Sequence, residues 1–326
     1  MSLPAAPLQI VGADGLPLCG RYQGLADAPD WARLAPPFAR GALWRRLHHK
    51  RWHFVSLVTD ELFVGLVVID IGWSNSAFAY AFDRAQGNIV ESFSPVGLPG
   101  LTAEVGASVA EGARFVMPGR RIVIESDGSD GHRLRLRAGN FRIDAEYGGA
   151  GPRLLAVGPV FDGGALHATQ KSPGLLLRGT ADAGGRRFCL DGGIASYDFS
   201  NGLLGRHTAW RWISAQRRDL GFNVQRGYFG DAENALWLDG ELFPLGSLHS
   251  SVGASGAWTI STGDGLLDLR FTPEGMRRDD KQLVVASSRL TQHLGRFDGW
   301  VKAHAGAPKQ AVAGLAGLAE DYRARW

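Results

Sequence analysis

The stretch from Cys189 to Trp212 gathers Tyr197, Asp198, Asn201, Arg206, His207, Trp210, Arg211 and Trp212 into about one hairpin. Such a density of polar and aromatic groups suggests a pocket wall. Asp198 is the residue best suited to chemistry there. A partly desolvated carboxyl can protonate an alkene or take a proton from a carbon acid, but it can equally cap the Ser200–Gly202 turn. Tyr197 and Asp198 point to opposite faces of an extended backbone. One of them therefore faces inward, unless a bulge at Gly192-Gly193 or the turn at Gly202 re-aims the pair. Tyr197, Asn201 and His207 would orient the proton carrier. Thr208, Trp210, Trp212 and Ser214 share one face of the next strand, and His207, Ala209, Arg211 and Ile213 share the other. Tryptophan faces can line an apolar pocket or stabilise a developing cation, or they can simply be core.

Other candidates lie outside this stretch. Glu233, Asn234 and Trp237 carry the same ambiguity between pocket wall and core. Asp70 ends an apolar strand, as an acid or base or as a carboxylate bonded to turn amides. His48, His49 and His53 look like metal ligands at first glance. On a strand, however, His49 and His53 sit roughly 13 Å apart at about 3.3 Å per residue, too far for one ion, so no metal site is expected. His53 remains a candidate ligand-binding residue. The basic run from Arg45 to Arg51 reads either as a solvated strand start or as a phosphate site. No G-x-S-x-G elbow, H-E-x-x-H, C-x-x-C, P-loop or helix-opening G-x-G-x-x-G occurs. That argues against serine hydrolases, zinc proteases, P-loop NTPases and Rossmann dehydrogenases, and no cofactor is expected.

The composition fits a pocket built on strands. Glycine numbers 45 of 326 residues, about twice its usual share, which suits turns, bulges and strand bends better than long helices. A net charge of +3 is too mild for a nucleic-acid partner. Cys19 and Cys189 stand far apart, with nothing to support a disulfide. The N-terminus lacks a signal-peptide pattern, and the most apolar stretch, 62–71, is too short to span a bilayer as a helix. The expectation is a soluble, cytoplasmic protein without stable membrane insertion.

The elements follow from period-two alternation. A lead-in arm fills residues 1–40, with a short helix capped by Asp30. Strands then run over 51–59, 62–71, 77–83 and 88–93 as a meander. Phe78, Tyr80 and Phe82 share one face of the third, and Ala77, Ala79 and Ala81 the other. Residues 132–146 form a hairpin with Leu134, Leu136, Phe141 and Ile143 facing in and an arginine stripe facing water. Strand-like segments resume at 175–180 and continue through 297–303, with Asp239-Gly240 as a hairpin turn. Residues 312–326 fit helical spacing at Val312, Leu315, Leu318, Tyr322 and Trp326, although Gly314 and Gly317 weaken it. The pattern predicts an all-β chain of two antiparallel barrel or sandwich domains, 1–165 and 166–326, with few short helices.

The ordered set Lys50-Arg51-Trp52-His53, Gly72-Trp73, Tyr197–Gly202, Arg206–Trp212, Glu233–Gly240, Gly295–Gly299 and Arg325-Trp326 resembles a bacterial family catalogued as domain of unknown function 2804. More remotely, the chain is similar to tandem lipocalin-like (calycin) proteins such as carotenoid hydratases and tocopherol cyclases. That resemblance implies two lipocalin-like domains and a cavity for a long apolar molecule. Tyr197 and Asp198 match a Tyr-Asp-His run of the hydratase branch, and Phe199 stands where the histidine would be. Together these readings point to a hydrophobic, lipid- or terpenoid-like small molecule as partner, with acid-assisted hydration, elimination or cyclisation as the chemistry. A non-enzymatic carrier is the alternative.

Overall fold

The computed structural model describes residues 3–128, 131–149, 151–282 and 286–326. The chain is all-β, with two curled antiparallel lipocalin-like sheets. Its longest helix among the described residues is Ala42–His48, and Asp30 caps the 3-10 turn Trp31–Arg33 by accepting from the Ala32 N–H. No helix among the described residues is long and apolar enough to cross a membrane.

The first sheet takes in strands as late as Ile194–Leu203, and the second starts at His207–Gln216. The change of sheet therefore falls between 203 and 207, not at the expected 165/166 break. Strands Leu166–Ala183 and Ile194–Leu203 are the reason. They insert between the meander strand His49–Val58 and the hairpin strand Phe141–Gly148, joining the two ends of the N-terminal half. Such long-range pairing leaves no mark in local alternation. The last segment, ambiguous in sequence, is also resolved. Gln310–Arg325 is a central strand of the second sheet, paired on both sides, and not a helix.

Each sheet curls around its own apolar interior. Val55, Leu57, Leu66, Ala77, Ala79, Ala81, Leu134, Phe141, Tyr197 and Phe199 fill the first. Ile213, Phe222, Leu236, Trp258, Phe271 and Phe297 fill the second. The alanine face of Asn75–Asp83 thus lies inside the first sheet. Its aromatic face, Phe78, Tyr80 and Phe82, turns outward and meets Trp212, Leu290, Leu294 and Leu318 of the second sheet. Gly65, directly across from Tyr80, is part of that arrangement, because a Cβ there would collide with the Tyr80 ring.

One strand serves both surfaces. In Leu166–Ala183, Lys171 faces the second sheet while Leu175 and Leu177 face the first interior. Four residues of regular strand would keep 171 and 175 on one side. A bulge between Ser172 and Leu175, at Pro173-Gly174, inverts the alternation.

Candidate functional site

Register alone builds the site. Across the first sheet, Lys171 pairs with Asp198, Asp198 with Phe54, Phe54 with Val67 and Val67 with Phe78, one row of side chains on one face. The adjacent row is Thr169, Ser200, Trp52 and Ile69. Across the second sheet, Trp212 pairs with Glu320 and Glu320 with Gln292; the next row is Trp210, Tyr322 and Leu290. These rows face each other across a cavity of about 70 Å³ whose walls include Asp198, Ser200, Glu233, Glu320, Trp52, Trp210, Trp212 and Tyr228. The cavity therefore lies between the two sheets and inside neither. A second chamber of about 80 Å³ adjoins it, sharing Ile69, Phe78, Leu290, Tyr322 and Trp326 as walls.

The aromatic wall is ordered. Trp52 stacks on Trp210 at 5.9 Å between centroids, and Trp210 stacks on Tyr322 at 4.2 Å. Phe54 meets Trp212 edge to face at 5.4 Å. Trp212 donates its indole N–H to Asn223 Oδ1 at 2.6 Å, which satisfies the one polar atom of a buried ring.

Into this apolar wall the chain sets three carboxyls and one ammonium. Lys171 Nζ lies 2.6 Å from Asp198 Oδ2 and 3.4 Å from Glu233 Oε2, with side chains 4%, 13% and 7% exposed. Thr169 and Ser200 donate to the other Asp198 oxygen at 3.1 and 3.3 Å. Burial opposes the charge on Lys171, but the pull of Asp198 and Glu233 outweighs it and holds the ammonium above its ordinary pKa. Burial pushes the Glu233 carboxyl up to about 7 against the opposing pull of Lys171.

Among the described residues Glu320 has no cation as close. It accepts from Trp210 Nε1 at 2.7 Å and Gln292 Nε2 at 2.6 Å, and burial raises it to about 7 despite those bonds. Burial thus holds both Glu233 and Glu320 well above the ordinary carboxyl range. Behind Asp198, His167 Nε2 is hydrogen-bonded to Tyr228 Oη at 3.1 Å and lies 3.5 Å from Ser200 Oγ. Burial pushes His167 down to about 3, so this imidazole is neutral.

The residues expected from sequence separate into two groups. Asp198, Trp210, Trp212 and Glu233 line the cavity, and Trp237 joins Asp198, Lys171 and Trp212 around a small adjoining space while donating to the Pro152 carbonyl at 2.6 Å. The others do not meet there. Tyr197 turns into the first interior beside His53, because alternation puts it on the face opposite Asp198. His53 is buried in that same interior, where burial pushes it down to about 3. His207 is exposed at the outer end of its strand. Arg211 faces away from the cavity, paired with Asp321 at 2.8 Å over the Trp258 ring.

Asn201 is a structural tie. It accepts from Trp31 and His49 and donates to the Ala107 carbonyl, which pins the N-terminal arm. Asn234 accepts from the Gln225 N–H and donates to the Gly246 carbonyl. Asp70 is bonded to the Gly72 N–H and paired with Arg51, the turn-bonded alternative.

Lys171, Glu320, Tyr228 and Trp52 are the site residues that sequence reasoning missed. A usable signal existed for Glu320, since Leu318, Glu320 and Tyr322 alternate as a strand would.

Among curated proteins none matches the sequence significantly. A family model described as Domain of unknown function (DUF2804) matches residues 8–326. Among solved structures, kievitone hydratase from Nectria haematococca is 13% identical with a TM-score of 0.55, covering 90% of this chain and 94% of that one. A protein described as an AttH from Nitrosomonas europaea is 15% identical with a TM-score of 0.52, covering 89% and 98%. CghA with Sch210972 is 10% identical with a TM-score of 0.53, covering 99% and 98%. At these identities the likeness is one of fold.

Proposed function

The chain belongs to the DUF2804 family, and on that premise we propose that its inter-sheet cavity binds an apolar, unsaturated small molecule of lipid or terpenoid type and moves a proton to or from it. The carrying observation is the placing of Asp198, Glu233, Glu320 and Lys171 in walls otherwise made of indole, phenol and aliphatic groups. Two carboxyls in different surroundings can divide the roles of acid and base. Glu320, lifted to about 7 and bonded to the neutral donors Trp210 Nε1 and Gln292 Nε2, is the general acid. Asp198, paired with Lys171, is the general base. Lys171 and Glu233 position it.

In a hydration, Glu320 gives its proton to one alkene carbon and the π electrons form that C–H bond. Water then bonds to the other carbon and loses a proton to Asp198, and solvent exchange resets both carboxyls. Elimination is the reverse. In a cyclisation, a second π bond of the ligand takes the place of water, and Asp198 receives the proton lost from carbon. Trp52, Trp210 and Trp212 present the aromatic surfaces that stabilise the cationic intermediate. One structural neighbour is described as a hydratase, but the reaction class proposed rests on the side chains of this chain.

A carrier is the second reading. The Lys171–Asp198 pair that favours it would satisfy the carboxylate within the wall of a plain binding site. The common part of both readings is tested by native mass spectrometry of protein purified from its own cells, with a Leu290→Trp variant that obstructs both chambers. An apolar adduct on the wild type, lost in the folded variant, is expected. A wild type that carries no adduct, and whose tryptophan fluorescence responds to no apolar fraction of its host's extract, overturns the proposal.

A further inference from the structure

A third cavity lies farther along the same sheet face. It has a volume of about 250 Å³ and is walled by His48, Lys50, Trp73, Leu204, Arg206 and Trp326. Trp326 also walls the inter-sheet cavity, and both Trp73 and Trp326 wall the adjoining chamber, so three spaces meet around one indole. Lys50, Trp52 and Phe54 share a face of the His49–Val58 strand. Lys50 pairs with Gly202 and Phe54 with Asp198. Four residues of strand therefore separate the levels of Lys50 and Asp198, roughly 13 Å at about 3.3 Å per residue.

Lys50 is 1% exposed. Its ammonium donates to the Leu47 carbonyl at 2.6 Å, reaches the Ile71 carbonyl at 3.5 Å, and lies 5.9 Å from the ring centroids of both Trp73 and Trp326. Among the described residues it forms no ion pair, and Asp70, whose charge acts on it, is engaged by Arg51 at 2.7 Å. Lys171, the other fully buried lysine of this face, has two carboxyl partners. A buried ammonium held by carbonyls and ring faces lacks a counter-charge, and burial accordingly lowers Lys50 to about 8. An anion in the neighbouring cavity would supply what is missing through a charge-assisted hydrogen bond.

We propose that Lys50 holds the anionic head group, a carboxylate or phosphate, of an amphiphilic ligand whose apolar body passes Trp326 into the inter-sheet cavity. This rests on the reading of that cavity given above, and it narrows the ligand to an acidic amphiphile whose reacting carbons lie on the order of 13 Å from its head.

The test titrates the protein with cis-parinaric acid and with its methyl ester, read by energy transfer from tryptophan, in the wild type and in Lys50→Met. Dodecanoate and dodecyl phosphate as competitors distinguish the two head groups, and dodecanol serves as the uncharged control. Methionine keeps an unbranched stem and removes the charge. The acid is expected to bind the wild type at least about tenfold tighter than the ester, as one charged hydrogen bond allows. In Lys50→Met the two are expected to bind alike, with the ester's affinity unchanged. Equal affinity for acid and ester in the wild type, or an acid preference that survives Lys50→Met, overturns the head-group assignment and leaves the apolar cavity standing. Failure of acid, ester and every competitor to bind overturns both. Should Lys50→Met not fold, the wild-type comparison of acid with ester decides alone.

Discussion

Replacing Glu320 by glutamine removes one proton-binding group from the inter-sheet cavity while keeping its shape. The amide oxygen still accepts from Trp210 Nε1. Gln292 now donates to Glu320 and leaves its own Oε1 without a partner, so a flip of the Gln292 amide turns that oxygen toward the new NH2. The substitution thus costs little packing and isolates the titration. Glu320 has an ordinary value of 4.5 and a folded value of about 7, so the folded state holds the proton over that interval. Its contribution to stability is fully present below 4.5 and is lost as pH rises through 7.

At about 1.4 kcal/mol per pKa unit, the whole interval is worth roughly 3 kcal/mol, of which roughly 2 to 3 fall between about pH 5 and 8. His53 and His167, both held near 3, act in the other direction, stabilising above their ordinary 6.5 and losing that contribution as pH falls. The wild-type curve alone therefore mixes opposed contributions, and the difference between wild type and Glu320→Gln is the quantity to read. Urea unfolding at intervals of pH should show the wild type losing roughly 2 to 3 kcal/mol more than the variant between about pH 5 and 8. Parallel pH profiles would refute the assignment of Glu320 as a buried acid protonated near neutrality.

Two further substitutions probe the same walls. Lys171→Met leaves Asp198 and Glu233 without their cation, and should cost about 3–5 kcal/mol near neutral pH, with part of the loss recovered at about pH 5, below the value of about 7 to which burial raises Glu233; a urea midpoint equally depressed at both pH values would contradict it. Trp212→Ala removes a ring that is 9% exposed, bonded to Asn223 and packed on Phe54, and should cost about 3–5 kcal/mol by thermal or urea unfolding; an unchanged midpoint would mean the ring contributes no packing.

Much of the architecture is legible in local alternation. Ala77–Asp83 and the 132–146 hairpin obey period two, because each has one face in an apolar interior and one outside it, and Asp239-Gly240 marks its hairpin by turn chemistry. The aromatic face Phe78, Tyr80 and Phe82 is equally clear in sequence, though not what covers it. The same holds for Trp210 and Trp212, whose shared face follows from spacing while its partner, the Trp52–Phe54 face, lies some 150 residues away. Lys171 was hidden because the strand reads as starting only at Leu175, after Pro173-Gly174, when that pair is a bulge within a longer strand. Glu320 was hidden because Val312, Leu315, Leu318 and Tyr322 also fit helical spacing, although the segment is a strand. Which of two alternating faces meets another sheet depends on pairing between distant segments, and single-strand periodicity holds no trace of it.

The central claim is that a proton moves between the inter-sheet carboxyls and a bound apolar molecule. Its most direct measurement incubates an extract of the host's apolar metabolites with protein in heavy water and follows carbon-bound deuterium by untargeted mass spectrometry. Wild type, Asp198→Asn and Glu320→Gln are compared at equal folded concentration. Asparagine and glutamine keep size and hydrogen bonding but exchange no proton near neutral pH. A compound is expected to gain carbon-bound deuterium with the wild type and not with either variant, while both variants still bind it. Incorporation that proceeds undiminished in both variants, or its absence with a wild type that binds the compound, would contradict proton transfer and leave a carrier.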